Sequence, residues 1–109
     1  MEKDNTIYLR LIVDSISKIK SFVSGFDLDS FSKDNKTQSA VIMQFQIIGE
    51  LSKKVNEDIK SKIEIPWKQI AGFRDIISHD YFNIDTGLVW ETIEKDLPPL
   101  EENITLFLG

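Results

Sequence analysis

The segment from Arg74 to Tyr81 concentrates the polar side chains best suited to acid–base chemistry on phosphate. It holds His79, the only histidine of the 109 residues, and Arg74, one of two arginines. Residues four apart in a helix share a face, so Asp75 would lie beside His79. Arginine offers a permanent charge and a fork of donors for phosphate oxygens, and histidine moves protons near neutral pH. These residue types suit a phosphodiester site in which Asp75 orients the imidazole.

A purely structural role explains the same spacing. A histidine in the last turn of a helix interacts favourably with the helix dipole, and an Asp four residues earlier adds an ion pair. Arg74 could pair with a carboxylate on another helix, and Tyr81 could be an aromatic side chain buried at a helix end. Spacing alone leaves both interpretations open.

The chemistry that these residues indicate needs no metal and no cofactor. The sequence has no cysteine, and its single histidine is too few for the common zinc sites built from several histidines. Attack by an RNA 2′-hydroxyl on the neighbouring phosphate needs a base, an acid and stabilisation of charge in the transition state. One chain offers one histidine, so water, another group or a second copy in a two-fold dimer would complete the site.

Helical periodicity predicts the elements that must position this segment. A first helix carries one apolar stripe and stops at Gly25; the stripe comprises Tyr8, Ile12, Ile16, Ile19, Val23 and Phe26. A loop or one short turn of helix is expected over residues 26–35. A second helix, apolar on two faces, is expected from near Asp34 to beyond Val55.

Two further helices complete the predicted bundle. Pro66 is well placed to begin the third, which leads into the motif and turns Ile70, Phe73 and Ile77 toward the core. Asp85 is a suitable N-cap for the fourth. Its stripe comprises Trp90, Ile93, Leu97, Leu100, Ile104 and Phe107, with a kink or brief break expected at Pro98-Pro99. The expected fold class is all-α: one domain over residues 1–109, an antiparallel four-helix bundle with room for one short extra helix.

Charge and hydropathy narrow the possible partners and location. The net charge of −5 argues against a broad, nonspecific nucleic-acid surface. Five lysines nevertheless lie close together in the sequence, at Lys53, Lys54, Lys60, Lys62 and Lys68. They form either a solvated helix end or a basic rim beside a site for an anionic ligand. No apolar run reaches the length of about 18 residues typical of a membrane span, and no secretory signal is recognisable, so a cytoplasmic protein is expected.

The motif resembles that of a known family. Arg74-Asp75-x-x-x-His79 resembles the signature of HEPN-domain ribonucleases, and Arg74-x-x-x-x-His79-x-Tyr81 resembles the longer form found in the HepT toxins of that superfamily. The flanking segments that also resemble the family are residues 44–50, 65–73, 80–85 and 89–100. The resemblance implies a HEPN-like helical bundle that dimerises, with the paired motifs lining a cleft.

The resemblance also implies a function. It is that of a metal-independent endoribonuclease, the toxin of a type VII-like HepT/MntA toxin–antitoxin pair. Arg74 and His79 correspond to the catalytic residues of the family, Asp75 to a supporting polar residue, and Tyr81 to the tyrosine that receives AMP. The implied partners are RNA and an MntA-type nucleotidyltransferase antitoxin, with no membrane and no cofactor. An added phosphate would place negative charge and bulk where an RNA phosphate should lie.

Two other functions remain open at this point. The first is a noncatalytic helical module that docks a nucleotidyltransferase or binds a nucleotide, with Arg74 as an anion clamp. The second is a structural helical dimer in which the polar segment only caps the third helix. Cleavage of RNA that depends on His79 separates the leading hypothesis from both.

Overall fold

The computed structural model describes residues 6–74 and 85–109, with Arg74 described by its backbone alone. Within these two ranges every regular element is a helix. The α-helices are α1 (Ile7–Phe22), α2 (Leu28–Ser32), α3 (Asn35–Lys54), α4 (Glu57–Lys62), α5 (Trp67–Ala71), α6 (Thr86–Glu91) and α7 (Leu97–Leu108). A 3-10 helix, Gly72–Arg74, follows α5, and a π-helical turn, Thr92–Asp96, joins α6 to α7. The prediction of an all-α bundle is confirmed.

The helices α1 and α3 form the antiparallel pair on which the bundle is built. The predicted stripe of α1 is fully buried at Ile12, Ile16 and Ile19. Lys54, at the end of α3, has its Nζ 5.9 Å from the ring centre of Tyr8 near the start of α1, so the two helices run in opposite directions. Burial of each isoleucine side chain contributes about 1.5–3 kcal/mol relative to exposure. This burial, more than intrinsic propensity, stabilises α1.

The connection between α1 and α3 is compact because it is built from a glycine turn and a well-capped short helix. Gly25 has a φ of +83°, a left-handed conformation that glycine adopts without strain. Asp27 then caps α2, since its Oδ1 accepts a hydrogen bond of 2.9 Å from the backbone N–H of Ser30. The Ser30 Oγ in turn accepts from the N–H of Asp27, which completes a capping box. The one short turn predicted for this region is α2.

The second predicted helix is α3, and its start is confirmed. Asp34 is the N-cap, and its carboxylate accepts a hydrogen bond of 2.9 Å from Thr37 N–H. The expected extension beyond Val55 is wrong: α3 ends at Lys54, and Val55 is extended, with φ −68° and ψ 131°. The chain must leave the helix at Val55 because the next residue, Asn56, already caps α4 through a 2.8 Å bond from Ile59 N–H.

The C-terminal helices form one uninterrupted helical run over residues 86–108. Asp85 caps it as predicted, accepting a 3.0 Å hydrogen bond from Leu88 N–H. A kink or brief break is expected at Pro98-Pro99, and no break occurs there. The irregularity is instead a wider turn just before the prolines, in which Leu97 N–H bonds to the Thr92 carbonyl five residues back. Proline has no N–H, so carbonyls four residues before each proline lose their α-helical donor. A π turn accommodates that loss within the helix.

The core joins the short elements to the long helices. Phe31 of α2 is fully buried, and its ring centre lies 5.2 Å from that of Trp90 in α6. The buried amide of Gln38 donates a 2.7 Å hydrogen bond from Nε2 to the Phe31 carbonyl. These contacts tie α2, α3 and α6 together. The number of short helices is larger than predicted, since both α2 and α4 lie between the long ones.

Candidate functional site

The helix that leads into the motif is anchored in the core on one side. Pro66 is the N-cap of α5, and its carbonyl accepts a 3.0 Å hydrogen bond from Ile70 N–H. The prediction that Pro66 begins this helix is therefore confirmed to within one residue. Ile70 and Phe73 are 2% and 1% exposed, which confirms both as core residues. The third predicted core residue, Ile77, lies outside the described residues.

Phe73 fixes the last described turn before the motif. Its ring meets that of Phe45 in α3 edge to face, with centres 5.2 Å apart and planes at 87°. This is the geometry that aromatic pairs favour, because the positive edge of one ring meets the negative face of the other. Arg74 is the next residue and ends the 3-10 helix. The backbone of Arg74 is thus positioned by α3 through the Phe45–Phe73 contact.

The remaining site residues predicted from the sequence lie outside the described residues. These are Asp75, His79 and Tyr81. Their grouping with Arg74, and the roles assigned to all four, stay predictions. On its other side the segment is followed by Asp85, the N-cap of α6. The residue before the segment is thus held by core packing, and the residue after it by the N-cap hydrogen bond of α6.

A groove opens between α4 and α5, next to the turn that ends at Arg74. It has a volume of about 430 Å³ and is lined by Glu57, Lys60, Ser61, Trp67, Lys68 and Ala71. We call it the Trp67 groove. The indole N–H of Trp67 donates to the carbonyls of Lys60 and Ile63, at 3.1 and 3.2 Å. These bonds cap the C-terminal end of α4 and hold the ring in one orientation.

The lysines that the sequence groups together separate in the fold. Lys54 lies over Tyr8, and Lys62 pairs with Asp58 at 3.3 Å on the exposed side of α4. Lys60 and Lys68 alone among the five line the Trp67 groove. The proposed basic rim is therefore narrower than the sequence indicates and consists of two lysines.

The side chain that sequence reasoning missed is Trp67. Its environment depends on carbonyls of a separate helix, α4, which was also missed. One local signal was available: Asn56 followed by Glu57 and Asp58 is a typical helix start, because an Asn N-cap and early acidic residues both satisfy the helix N-terminus. A helix ending near Lys62 would have placed the indole of Trp67 at its C-terminus.

Within residues 6–74 and 85–109, no three His, Cys, Asp or Glu side chains are grouped closely enough to hold a metal ion. In the same part of the chain, no helix combines the length and the apolar character needed to cross a membrane. The expected cytoplasmic location stays a prediction.

The described residues define an all-α helical bundle, and comparison with known proteins places it in the ribonuclease class. The family model described as Ribonuclease HepT-like matches residues 12–106. The chain belongs to the HepT-like ribonuclease family. The resemblance recognised from the motif is thereby confirmed, and the match includes the whole Arg74–Tyr81 segment.

Curated relatives agree with this membership. The protein named probable ribonuclease HepT from Thermococcus cleftensis is 38% identical over 102 residues, which is 93% of each chain. A Caldanaerobacter subterraneus protein, provisionally named an RNase, is 35% identical over 89% of this chain and 88% of its own. A Methanocaldococcus jannaschii protein is 41% identical over 95% of this chain; its name gives gamma-glutamylcyclotransferase and, provisionally, RNase. This chain spans only 47% of that relative. No solved structure matches the chain significantly.

Proposed function

We propose that this chain is a metal-independent endoribonuclease toxin of the HepT/MntA type, with its active site in the Arg74–Tyr81 segment. The observation that carries the proposal is the family match over residues 12–106, which includes a segment whose residue types suit phosphodiester cleavage. The anchored α5 supports it, because a catalytic group needs a rigid support to hold its position within a fraction of an ångström. Relatives named as ribonucleases cover nearly the whole chain.

The proposed reaction is a transesterification within RNA, in which the phosphoryl group passes from the 5′-oxygen to the 2′-oxygen. The 2′-oxygen attacks the adjacent phosphorus, the bond to the 5′-oxygen breaks, and the products are a cyclic phosphate and a 5′-hydroxyl end. His79 moves a proton, either from the 2′-hydroxyl or to the leaving 5′-oxygen. Arg74 stabilises the negative charge that builds up on the phosphate oxygens, and Asp75 orients the imidazole.

A homodimer would supply the second group that the two proton transfers need. The reaction needs one base and one acid, whereas each chain has one histidine. A two-fold axis places the same surface of both subunits face to face, so two copies of Arg74 and His79 would line a single cleft. The proposed active form is therefore a dimer, which sedimentation equilibrium on the purified protein would test directly.

The proposed regulation acts on Tyr81. An MntA-type nucleotidyltransferase would transfer AMP from ATP to the phenolic oxygen, with pyrophosphate as the leaving group. The new phosphate diester carries a negative charge beside His79 and fills space that an RNA phosphate needs. The modified toxin would then be inactive, and Tyr81→Phe would remove the acceptor oxygen and the control with it.

The first experiment measures RNA cleavage in EDTA by the wild type, His79→Ala and Tyr81→Phe. Intact mass is checked first, because a nucleotidylated sample would be inactive for a different reason. We expect cleavage to cyclic phosphate ends by the wild type and by Tyr81→Phe, and a loss of at least about 100-fold for His79→Ala, since one general acid–base group contributes about 10²–10⁴-fold. Equal melting temperatures of the three proteins establish that the loss is chemical.

Two results would contradict the proposal. Full-rate cleavage by His79→Ala would remove the assigned catalytic group. Absence of cleavage by unmodified, folded wild type across varied RNAs would favour the noncatalytic module, in which Arg74 binds an anion on a partner.

A further inference from the structure

The Trp67 groove has the composition of a single-stranded nucleic-acid subsite. Its lining includes the Trp67 ring, held by two hydrogen bonds to carbonyls at the C-terminal end of α4, together with Lys60, Lys68 and Glu57. Proteins bind single strands by combining such features: a base stacks on an aromatic face while cationic side chains contact the neighbouring phosphates. The groove has a volume of about 430 Å³ and is a shallow depression open to solvent.

The two lysines differ in their present contacts. Lys60 stands over the Trp67 ring, with Nζ 5.8 Å from the ring centre, and makes a long 3.7 Å contact with the exposed carboxylate of Glu57. Lys68 is exposed, and no ion pair involves it among the residues that the structure describes. The Lys60 side chain is only 20% exposed, but Glu57 is 91% exposed and the ion pair is long, so this ion pair is weak. An incoming phosphate can therefore recruit both ammonium groups.

The groove also lies along the helical path that leads to the proposed active site. Trp67 and Ala71 are four residues apart in α5, which puts them on one face of the helix. The 3-10 turn then advances three residues, one full turn, from Ala71 to Arg74. The backbone of Arg74 therefore lies about one helical turn beyond Ala71, a residue that lines the Trp67 groove.

We propose that the Trp67 groove binds a nucleotide of single-stranded RNA next to the cleaved phosphate. The base stacks on Trp67, displacing the Lys60 ammonium from the ring, and Lys60 and Lys68 then contact the flanking phosphates. The inference rests on the proposed ribonuclease function and names its substrate class, since only a strand with an unstacked base can enter. It also explains how a chain of net charge −5 can bind RNA.

The first test measures the fluorescence of each of the two tryptophans separately. The probe is a short 2′-O-methyl oligouridylate, which lacks the attacking hydroxyl and therefore reports binding without turnover. Trp90→Phe leaves Trp67 as the only tryptophan, and Trp67→Phe leaves Trp90, which packs on Phe31 with ring centres 5.2 Å apart. We expect the probe to quench fluorescence in Trp90→Phe and to leave that of Trp67→Phe unchanged.

The second test removes charge without touching the indole. Lys60→Gln/Lys68→Gln should weaken probe binding about tenfold and reduce the slope of log K against log salt by about 1.4, which is 0.7 for each phosphate contact to a single strand. The matched control, Lys18→Gln/Lys33→Gln, removes the same charge from exposed pairs with Asp14 and Asp29. The control should keep the wild-type affinity. This comparison of lysine variants remains informative even if Trp67→Phe is unstable.

The outcomes separate this inference from the ribonuclease assignment. Quenching of Trp67 together with loss of affinity in the Lys60/Lys68 variant supports the subsite. If that variant binds the probe with wild-type affinity while the wild type shows His79-dependent cleavage, the proposed subsite is contradicted and the ribonuclease assignment stands. Unchanged RNA binding with lost binding of a nucleotidyltransferase also overturns it, because the groove would then be a protein contact. Failure of the wild type to bind or cleave any RNA contradicts the proposed function itself.

Discussion

The contact between Phe45 and Phe73 should stabilise the fold and also position the active site. Phe73→Leu is expected to lower the free energy of unfolding by about 1–3 kcal/mol: about 0.5–1.5 for the aromatic pair, with the rest from imperfect packing. The rings are 2% and 1% exposed and meet at 87°, so the full value for a buried edge-to-face pair applies. Against a total stability of about 5–15 kcal/mol, the variant remains folded.

A double-mutant cycle isolates the aromatic contribution. Phe45→Leu, Phe73→Leu and the double variant are unfolded in urea, and the coupling energy is taken from the four free energies. We expect about 0.5–1.5 kcal/mol, because either single change already removes the same ring–ring contact. The cycle controls for side-chain size, since every variant carries leucine.

The same two single variants distinguish positioning from stability. Each change removes the same contact, so Phe45→Leu and Phe73→Leu should both reduce RNA cleavage at a temperature where both are fully folded. A coupling energy near zero would refute the assigned packing. Wild-type cleavage rates for both variants, with coupling present, would refute the view that this contact positions Arg74.

Two further predictions concern polar groups. The buried Oε1 of Gln44 has no hydrogen-bond partner among the residues that the structure describes, so Gln44→Met should raise the free energy of unfolding by about 1 kcal/mol. Gln38→Met should lower it by about 0.5–1.5 kcal/mol, because it removes the 2.7 Å bond to the Phe31 carbonyl, which keeps its 3.2 Å bond from Asp34 N–H. Urea unfolding checks both, and changes of equal sign would contradict the assignment. The hydrogen bond from Ser30 N–H holds the pKa of Asp27 below its usual range. This stabilisation is complete above the unfolded pKa and is lost as pH falls through the folded one. Stability should therefore fall in acid more for the wild type than for Asp27→Asn, which caps the helix without titrating; parallel acid profiles from urea unfolding would exclude this contribution.

The parts of the fold that depend on local spacing could be predicted from the sequence. The stripe of α1 and the N-caps Asp34 and Asp85 involve residues within one or two turns, so their signals are local. The end of α3 was misplaced by one residue or more because Val55 is apolar and in phase with the stripe. What ends the helix there is the start of α4, which apolar periodicity does not record.

The α4 helix and the Trp67 groove could not be predicted from the periodicity of apolar residues. Only Ile59 of α4 is buried, and one apolar residue defines no period. The indole of Trp67 bonds to carbonyls four and seven residues earlier in the chain, and apolar periodicity does not report bonds of this kind. The residue types of the candidate site were readable from the motif, whereas the mutual geometry of Asp75, His79 and Tyr81 depends on a segment outside the described residues.

The π turn at Thr92–Asp96 has a consequence for how this protein can change in length. A π turn is an α-helix that contains one extra residue. Deleting one residue there, such as the exposed Glu94, would keep Ile93 and Leu97 facing the core but would leave Pro98 and Pro99 inside an ordinary α-helix, at a cost of about 3 kcal/mol. The same deletion in the middle of α1 would rotate every following side chain by about 100° and turn its isoleucines outward. A single-residue gap should therefore be tolerated at this turn when the prolines are replaced as well, and excluded from α1 in any case.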